Sequence, residues 1–425
     1  MKGNGKTIRG LKEMLDTTIG LIADEEFIKR ARMMAKHFTR ERKIGFEGIV
    51  MFILGCARNT LQGALNTYIE KTGKMITYTK QAFSKARQRI KPEAFKEIFD
   101  LTPRYIYKKI KTRTYRKSHL IAIDGSKLNL PENEESRKIF GEQITGNAPQ
   151  IQALASTLFD VLNGVIIDAR FGSCRDSERR HAEDMIESFD SKMVKNPLFL
   201  FDRGYPSANL MELIENKGYH YIMRCDKTFL RSINVSEPDE VITNHFIKAD
   251  KTLKFRLITV VGKNGEADYL ITNILSKKYS IDDFVKLYHL RWGIETNYGT
   301  LKEKIQIENF TGSTPVAVAQ DFYATLYLAN LAAVVILDNR DEVEEKYNTP
   351  QKKYEYKTNI NITLSSLKHR VVELFISRSS SRRNYLLDLI YTEVLNAVVP
   401  IKPSRSVPRV VRHSQNKFPL NKKNP

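Results

Sequence analysis

Two aspartates each follow a short apolar run, Asp124 after LIAI (120–123) and Asp202 after LFLF (198–201). Runs of this kind read as strands buried on both faces. A carboxylate where such a strand ends meets solvent at the sheet edge, which is where α/β folds put their chemistry. Each aspartate also has a plain alternative, because Asp124-Gly125 and Asp202-Arg203-Gly204 are turn sequences too. The third element is IDDFVKLYHLRWGIETNYGTLKEKI (281–305), whose apolar residues recur at helical spacing. At ~100° per residue, with Tyr288 at the origin, Arg291 falls at about −60°, Glu295 at about −20° and Lys302 at about −40°. Leu287, Leu290, Ile294, Leu301 and Ile305 gather on the other side, at about 200–260°. A surface Arg291–Glu295 pair at i,i+4, worth about 0.2–0.5 kcal/mol, would account for two of these polar residues but not for the aligned Tyr288 and Lys302.

One chemistry has a use for all of them. Phosphodiester cleavage asks little covalent work of side chains, but it needs two hard cations ~3.5–4 Å apart to activate one oxygen and steady another. Mg²⁺, or Mn²⁺ in its place, takes carboxylate oxygens, and Asp124, Asp202 and Glu295 would supply them. Beside them Arg291 would grip phosphate as a planar fork and Lys302 as a point charge.

The surrounding sequence predicts what holds these residues. From His119 onward strands and turns dominate. Two runs, Ala153–Phe159 and Val165–Phe171, flank Asn163-Gly164, a hairpin signal. Helices are expected over Glu178–Phe189 and Ser207–Asn216, a strand over Tyr219–Arg224, and extra β structure over about 226–275 with a second hairpin at Asn264-Gly265. Ser280 and Asp283 fit a capping box at the start of the polar-striped helix. This order gives a mixed α/β catalytic region, 118–310, with a β insertion. Residues 1–117 read as helical, including a helix pair, Asn59–Glu70 and Thr79–Ile90, turning at Thr72-Gly73. The second helix presents Lys85, Arg87 and Arg89 in the manner of a helix laid in a DNA groove, or else as a basic solvated face. Residues 311–400 are expected to be helical with a loop over 338–357, and 401–425 to form a basic tail.

Charge distribution agrees with a nucleic-acid partner. Residues 1–117 hold 27 Lys/Arg against 11 Asp/Glu, a net of +16, and 401–425 add seven basic residues and no acid. The net charge is +20, so the centre is near neutral at 20 − 16 − 7 = −3. Basic ends suit counterion-releasing contacts to phosphates. Cys56, Cys174 and Cys225 are far apart with no C-x-x-C pair, which argues against a structural zinc site and for a reducing compartment. The start lacks an apolar signal core, and Phe322–Leu337 is interrupted by Thr325 and Asn330, so a buried helix is expected rather than a membrane span. A cytoplasmic, nucleoid-associated protein is expected.

The pattern Tyr288-x2-Arg291-x3-Glu295-x6-Lys302 resembles the YREK signature of one large group of bacterial insertion-sequence DDE transposases. Asp124 in IAIDGS and Asp202 in LFLFDRGY look like that group's two catalytic aspartates. The resemblance implies a ribonuclease-H-like core with a β insertion, flanked by helical regions that bind DNA ends and dimerise. It implies metal ligation by Asp124, Asp202 and Glu295, and contacts from Tyr288, Arg291 and Lys302 to terminal phosphates. The double-stranded partners would be terminal inverted repeats and target DNA, joined through a 3′-OH in cut-and-paste fashion by a homodimer. Relatives stack a flipped base on an aromatic residue of the insertion, often Trp. Here the single tryptophan, Trp292, lies in the signature helix, and the insertion offers Phe229, Phe246, Phe255 and Tyr269. Two other readings remain: a catalytically silent, transposase-derived DNA-binding protein, and a nuclease that cuts without joining.

Overall fold

The computed structural model describes residues 10–40, 42–55, 60–145, 148–226, 229, 237–261 and 267–402. Cys56, the Asn264-Gly265 turn and the basic tail from residue 403 lie outside the described residues.

Six helices precede the first strand: α1 (Gly10–Ala23), α2 (Glu25–Ala31), α3 (Phe46–Leu54), α4 (Leu61–Lys71), α5 (Lys80–Arg87) and α6 (Pro92–Lys109). The expected helix pair is α4 and α5. Thr60 and Thr79 cap them by accepting from Gly63 N and Ala82 N, and Gly73, at φ +68°, makes the turn that follows α4 without a Cβ penalty.

The strands are β1 (His119–Asn129), β2 (Glu142–Thr145), β3 (Ala148–Asp160), β4 (Val165–Ser173), β5 (Pro197–Phe201), β6 (His220–Cys225), β7 (Asp239–Phe246), β8 (Lys251–Val261) and β9 (Ala267–Thr272). They form one sheet in the order β2-β3-β1-β5-β6-β9-β8-β7, with β4 also paired to β3. β1, β5 and β6 run parallel, and the other pairings are antiparallel. The fold is thus mixed α/β, as expected. The β insertion is an extension of this sheet rather than a separate layer, because β9 pairs directly with β6.

The all-apolar runs have a physical reason. Leu120 and Ala122 pack into the core shared with the N- and C-terminal helices, whereas Ile121 and Ile123 pack into a second core on the other face. That second face is covered by α8 (Glu178–Glu187) and α9 (Ala208–Asn216), which follow α7 (Glu134–Phe140) in the chain. A strand buried on both faces has no need of polar alternation.

The polar-striped helix is segmented: α10 (Ile281–Leu290), α11 (Trp292–Gly299) and a π-helical turn at Thr300–Ile305. Its capping box is present at Ser280 and Asp283. α12 (Pro315–Asp338) is long and apolar enough to cross a membrane by length and composition, yet it lies buried in the helical core, in keeping with the expected buried helix. One expectation is corrected. Residues 338–357 are not a loop throughout: they carry α13 (Arg340–Tyr347) and the start of β10 (Glu355–Thr358). β10 pairs with β11 (Val398–Ile401), closing off the final helices α14 (Ile360–Ile376) and α15 (Ser380–Asn396).

Candidate functional site

The parallel pairing of β1 with β5 stops at Ala122–Leu200. Asp124 and Asp202 each lie two residues beyond that last pair, where the strands part. Asp202 follows the end of β5 as expected; its Oδ1 accepts from Arg203 N at 2.8 Å and its carbonyl from Tyr205 N at 3.1 Å. Asp124 corrects the expectation. β1 continues to Asn129 along β3, so this aspartate sits within a strand, paired with Thr157. What ends there is the parallel partner.

α11 rests on the sheet through two close approaches. Gly293 lies where a Cβ would stand 3.2 Å from Val161. The buried Tyr298 hydroxyl bonds the carbonyls of Asp124 (3.0 Å) and Ala155 (2.9 Å), and accepts from Thr157 Oγ1 at 3.2 Å. Tyr298, one turn beyond Glu295, was not singled out from the sequence; as a tyrosine on the sheet-facing side of a functional helix, its hydroxyl needed a buried partner.

The helix side chains converge on Asp202. Tyr288 Oη donates to Asp202 Oδ1 at 3.2 Å. Arg291 Nη2 donates to Glu295 Oε1 at 3.1 Å and stands 3.7 Å from Asp202 Oδ2. Arg291 is 3% exposed, lies over the Tyr288 ring, and its Nε finds no partner among the described residues. Burial pushes the Asp124 carboxyl up to about 6; the Gly125 N–H and Arg291 pull it down, while the charges of Glu178 and Asp202 add to the rise. Burial also raises the Tyr288 phenol, keeping it a neutral donor.

Lys302 lies apart. Its Nζ donates to the Lys127 carbonyl at 2.7 Å, and burial lowers its pKa against the opposing pull of Glu308. The π turn that carries it breaks the 100° progression that set Lys302 on Glu295's face.

The donor chemistry of Asp124, Asp202 and Glu295 suits a hard divalent ion. Among the described residues no three acidic, His or Cys side chains are gathered closely enough to hold one, and the Arg291 guanidinium stands between two of the carboxylates. Asp202 and Glu295 are 36% and 41% exposed, so both remain reachable from solvent.

In the N-terminal helices the three basic candidates part company. Lys85 is exposed. Arg87 is 1% exposed, and this corrects its expected place on a DNA-facing surface. It donates to Gln320 Oε1 (2.9 Å), Thr311 Oγ1 (2.6 Å), the Ala317 carbonyl (3.0 Å) and Asp321 Oδ1 (2.8 Å), which ties α5 to α12. Burial would raise the Asp321 carboxyl, but Arg87 and Thr311 outweigh it and hold it below the usual range. A lone Arg on a helix does not reveal an acid 234 residues away. Arg89 instead joins Lys36, His37, Arg40 and Arg42 around a cavity of about 270 Å³. Of the candidate stacking aromatics, Phe255 is fully buried and Phe246 packs against it and Phe229, while Trp292 is 57% exposed beside His289.

The family model of the transposase DDE domain matches residues 115–331, just over half of the chain. Transposase InsG for insertion sequence element IS4, from Escherichia coli (strain K12), is 25% identical over 339 residues, covering 74% of this chain and 75% of that protein. Among solved structures, a cryo-EM structure of the piggyBac transposase synaptic complex with hairpin DNA aligns with 95% of this chain and 89% of its own, at 13% identity and a TM-score of 0.48.

Proposed function

Since the chain belongs to the transposase DDE family, we propose that Asp124, Asp202 and Glu295 hold two Mg²⁺ ions, replaceable by Mn²⁺, for cutting and joining DNA. The reading places it in the YREK group with a ribonuclease-H-like core that acts at the element's terminal inverted repeats by a cut-and-paste route, as a homodimer on DNA. The observation that carries it is convergence: Tyr288 and Arg291 of one helix meet Asp202, and Arg291 also meets Glu295 of that helix, where β1 and β5 part.

When bound, the ions supply activation of the attacking oxygen and charge neutralisation at the leaving one. The chain's own groups do the rest. Tyr298 fixes α11 against the strand bearing Asp124, so that Glu295 is held over the strand ends. Tyr288 holds one Asp202 oxygen, which limits that carboxylate's rotation. Arg291 sits beside the carboxylates with an unspent Nε, and its fork suits a phosphate delivered there. Lys302 attracts the strand outside the metal positions, and Lys85 and Arg89 grip phosphates near the end of the element.

Incubation of the protein with the element's own ends and Mg²⁺ tests this. Cleavage followed by joining of the 3′-OH to a target is expected, with loss below detection in Asp124→Ala, Asp202→Ala and Glu295→Ala while end binding persists. Cleavage without joining would favour a nuclease. Robust cleavage by any of the three variants would sink the ligand assignment.

A further inference from the structure

The link between α2 and α3 turns at Phe38, whose backbone sits at φ +56°. Bulky residues rarely enter this left-handed region, and those that do gather at ligand clamps and active sites. The Phe46 ring meets the Phe38 ring edge-on, with centroids 5.4 Å apart. Phe38 stands between two cavities. The larger, about 400 Å³, has Phe38, Ile44, Phe46, Tyr68 and Ile69 in its wall. The smaller, about 270 Å³, is bordered by Lys36, His37, Arg40, Arg42 and Arg89 and by no acid. Phe38, Arg40 and Arg42 border both.

Several donors in these cavities are unspent. Tyr68 is 5% exposed, yet its hydroxyl has no hydrogen-bond partner among the described residues. A buried tyrosine hydroxyl ordinarily finds one. Burial pushes this phenol up to about 12, helped by the charge of Glu47, so it stays a neutral donor. Gly45 begins α3 with no side chain to cap the first N–H groups, and Gly45 and Gly48 line the same cavity. In the smaller cavity His37 Nδ1 is buried and unmatched, and none of Lys36, Arg40, Arg42 and Arg89 forms an ion pair among the described residues. A solvated crease between helices would account for the arginines. It would not account for a free hydroxyl in an apolar wall or for the strained aromatic at the junction. An apolar wall with a few placed donors is the make-up of a ligand pocket, and the larger cavity falls within the usual range of roughly 300–1,000 Å³.

We propose that the paired cavities bind a nucleotide, its base against Phe38 within reach of the Tyr68 hydroxyl and its phosphate among Arg40, Arg42 and Arg89. Base edges carry acceptors that Tyr68 and the α3 N–H groups can meet. The site shares no residue with the carboxylates on the sheet. Calorimetry on the full-length protein in chelator tests it, with adenosine monophosphate, adenosine, inorganic phosphate and a short single-stranded oligonucleotide as probes. The monophosphate should bind about 10-fold or more tightly than adenosine or phosphate alone, since each of those fills one cavity. Tyr68→Phe should weaken it by about 2- to 10-fold, the worth of one hydrogen bond. Melting of that variant should stay level, because the hydroxyl has no partner in the fold to lose. Arg42→Gln should weaken binding by about 10-fold or more, and Phe38→Leu by about 5-fold or more through lost stacking. Phosphate binding as tightly as the monophosphate marks a plain anion site and overturns the proposal. So does the absence of binding by both monophosphate and oligonucleotide, or wild-type affinity in Tyr68→Phe and Arg42→Gln. The source of the nucleotide follows from the two probes that contain one. Equal affinity points to a free nucleotide, whereas an oligonucleotide that binds more tightly and is weakened by Tyr68→Phe points to an unstacked nucleotide of DNA. Asp202→Ala should bind the monophosphate normally; loss of binding there would move the ligand to the carboxylates and overturn this site while leaving that one standing.

Discussion

Arg87 and Arg291 are both withdrawn from solvent, at 1% and 3% exposure, and they are used in opposite ways. Around Arg87 each guanidinium nitrogen donates, and the acceptors, Gln320, Thr311, Ala317 and Asp321, belong to α12 and the segment before it. Gln320 returns the favour by bonding the Arg87 and Ile90 carbonyls. Around Arg291 a single nitrogen is divided between two carboxylates at 3.1 and 3.7 Å, while Nε is buried and unmatched. Folded interiors leave few polar atoms unmatched, so the exceptions ask for an explanation. The first arginine is a tie between chain segments. The second is held among acids with capacity to spare, which is how a site looks when its chemistry needs more than the fold does.

Exchanging the two losses should give the largest effects. Arg87→Ala strands a buried carboxylate at Asp321 and should cost about 3–5 kcal/mol of unfolding free energy, read by denaturant titration. Pairing it with Asp321→Leu should return much of that loss, because a dry apolar contact replaces the orphaned charge. Arg291→Ala frees two carboxylates that solvent already reaches, so its stability change should stay within about 1 kcal/mol while DNA cleavage collapses. A stable Arg87→Ala, or a strongly destabilised Arg291→Ala, would erase the contrast.

How much of this was visible beforehand follows from the range of each interaction. The buried strands and the helix capped at Ser280 are local patterns, and each was legible. β1 was read as ending at Asp124 because Asp-Gly suits a turn, whereas the antiparallel neighbour β3 keeps the strand going to Asn129. Tyr298 bonds the Asp124 carbonyl 174 residues away, and nothing local distinguishes it from an ordinary surface residue. Arg87 was misplaced for the same reason, its acid being on α12.

A smaller effect separates the regions by pH. In the metal-free protein Asp124 is raised to about 6, chiefly by burial, so its ionised form is disfavoured in the fold. Stability linked to it is present below the unfolded carboxylate range and is lost as pH climbs toward about 6. Asp124→Asn should therefore be more stable than wild type at pH 7.5 in chelator, by roughly 1–2 kcal/mol after allowance for solvent screening. The gap should close near pH 4. Asp321 is shifted the other way, and its contribution through Arg87 should fade as pH falls below the carboxylate range. A gap for Asp124→Asn that persists at pH 4 would mean the variant acts through packing, not charge.

The smallest effect concerns Arg89, two residues from Arg87 but turned toward the cavity with Lys36, His37, Arg40 and Arg42. Arg87 is bound up in the fold, so if this helix end contacts DNA as proposed, Arg89 is the member of the pair placed to do so. A phosphate contact releases about one counterion, so Arg89→Ala should reduce the slope of log affinity against log salt by roughly 0.9. The same variant should leave melting nearly unchanged, because its side chain is half-buried and holds no buried acid. Measured at several salt concentrations on the element's ends, the loss of affinity should be largest at low salt and shrink as salt rises. A random duplex should show the same slope change, since the contact is to phosphate and not to a base edge. An unaltered slope on both DNAs would remove this cavity from the DNA-binding surface. A loss confined to the element's ends would instead make Arg89 a reader of bases, and the groove-entry expectation for the helix would return through this residue alone.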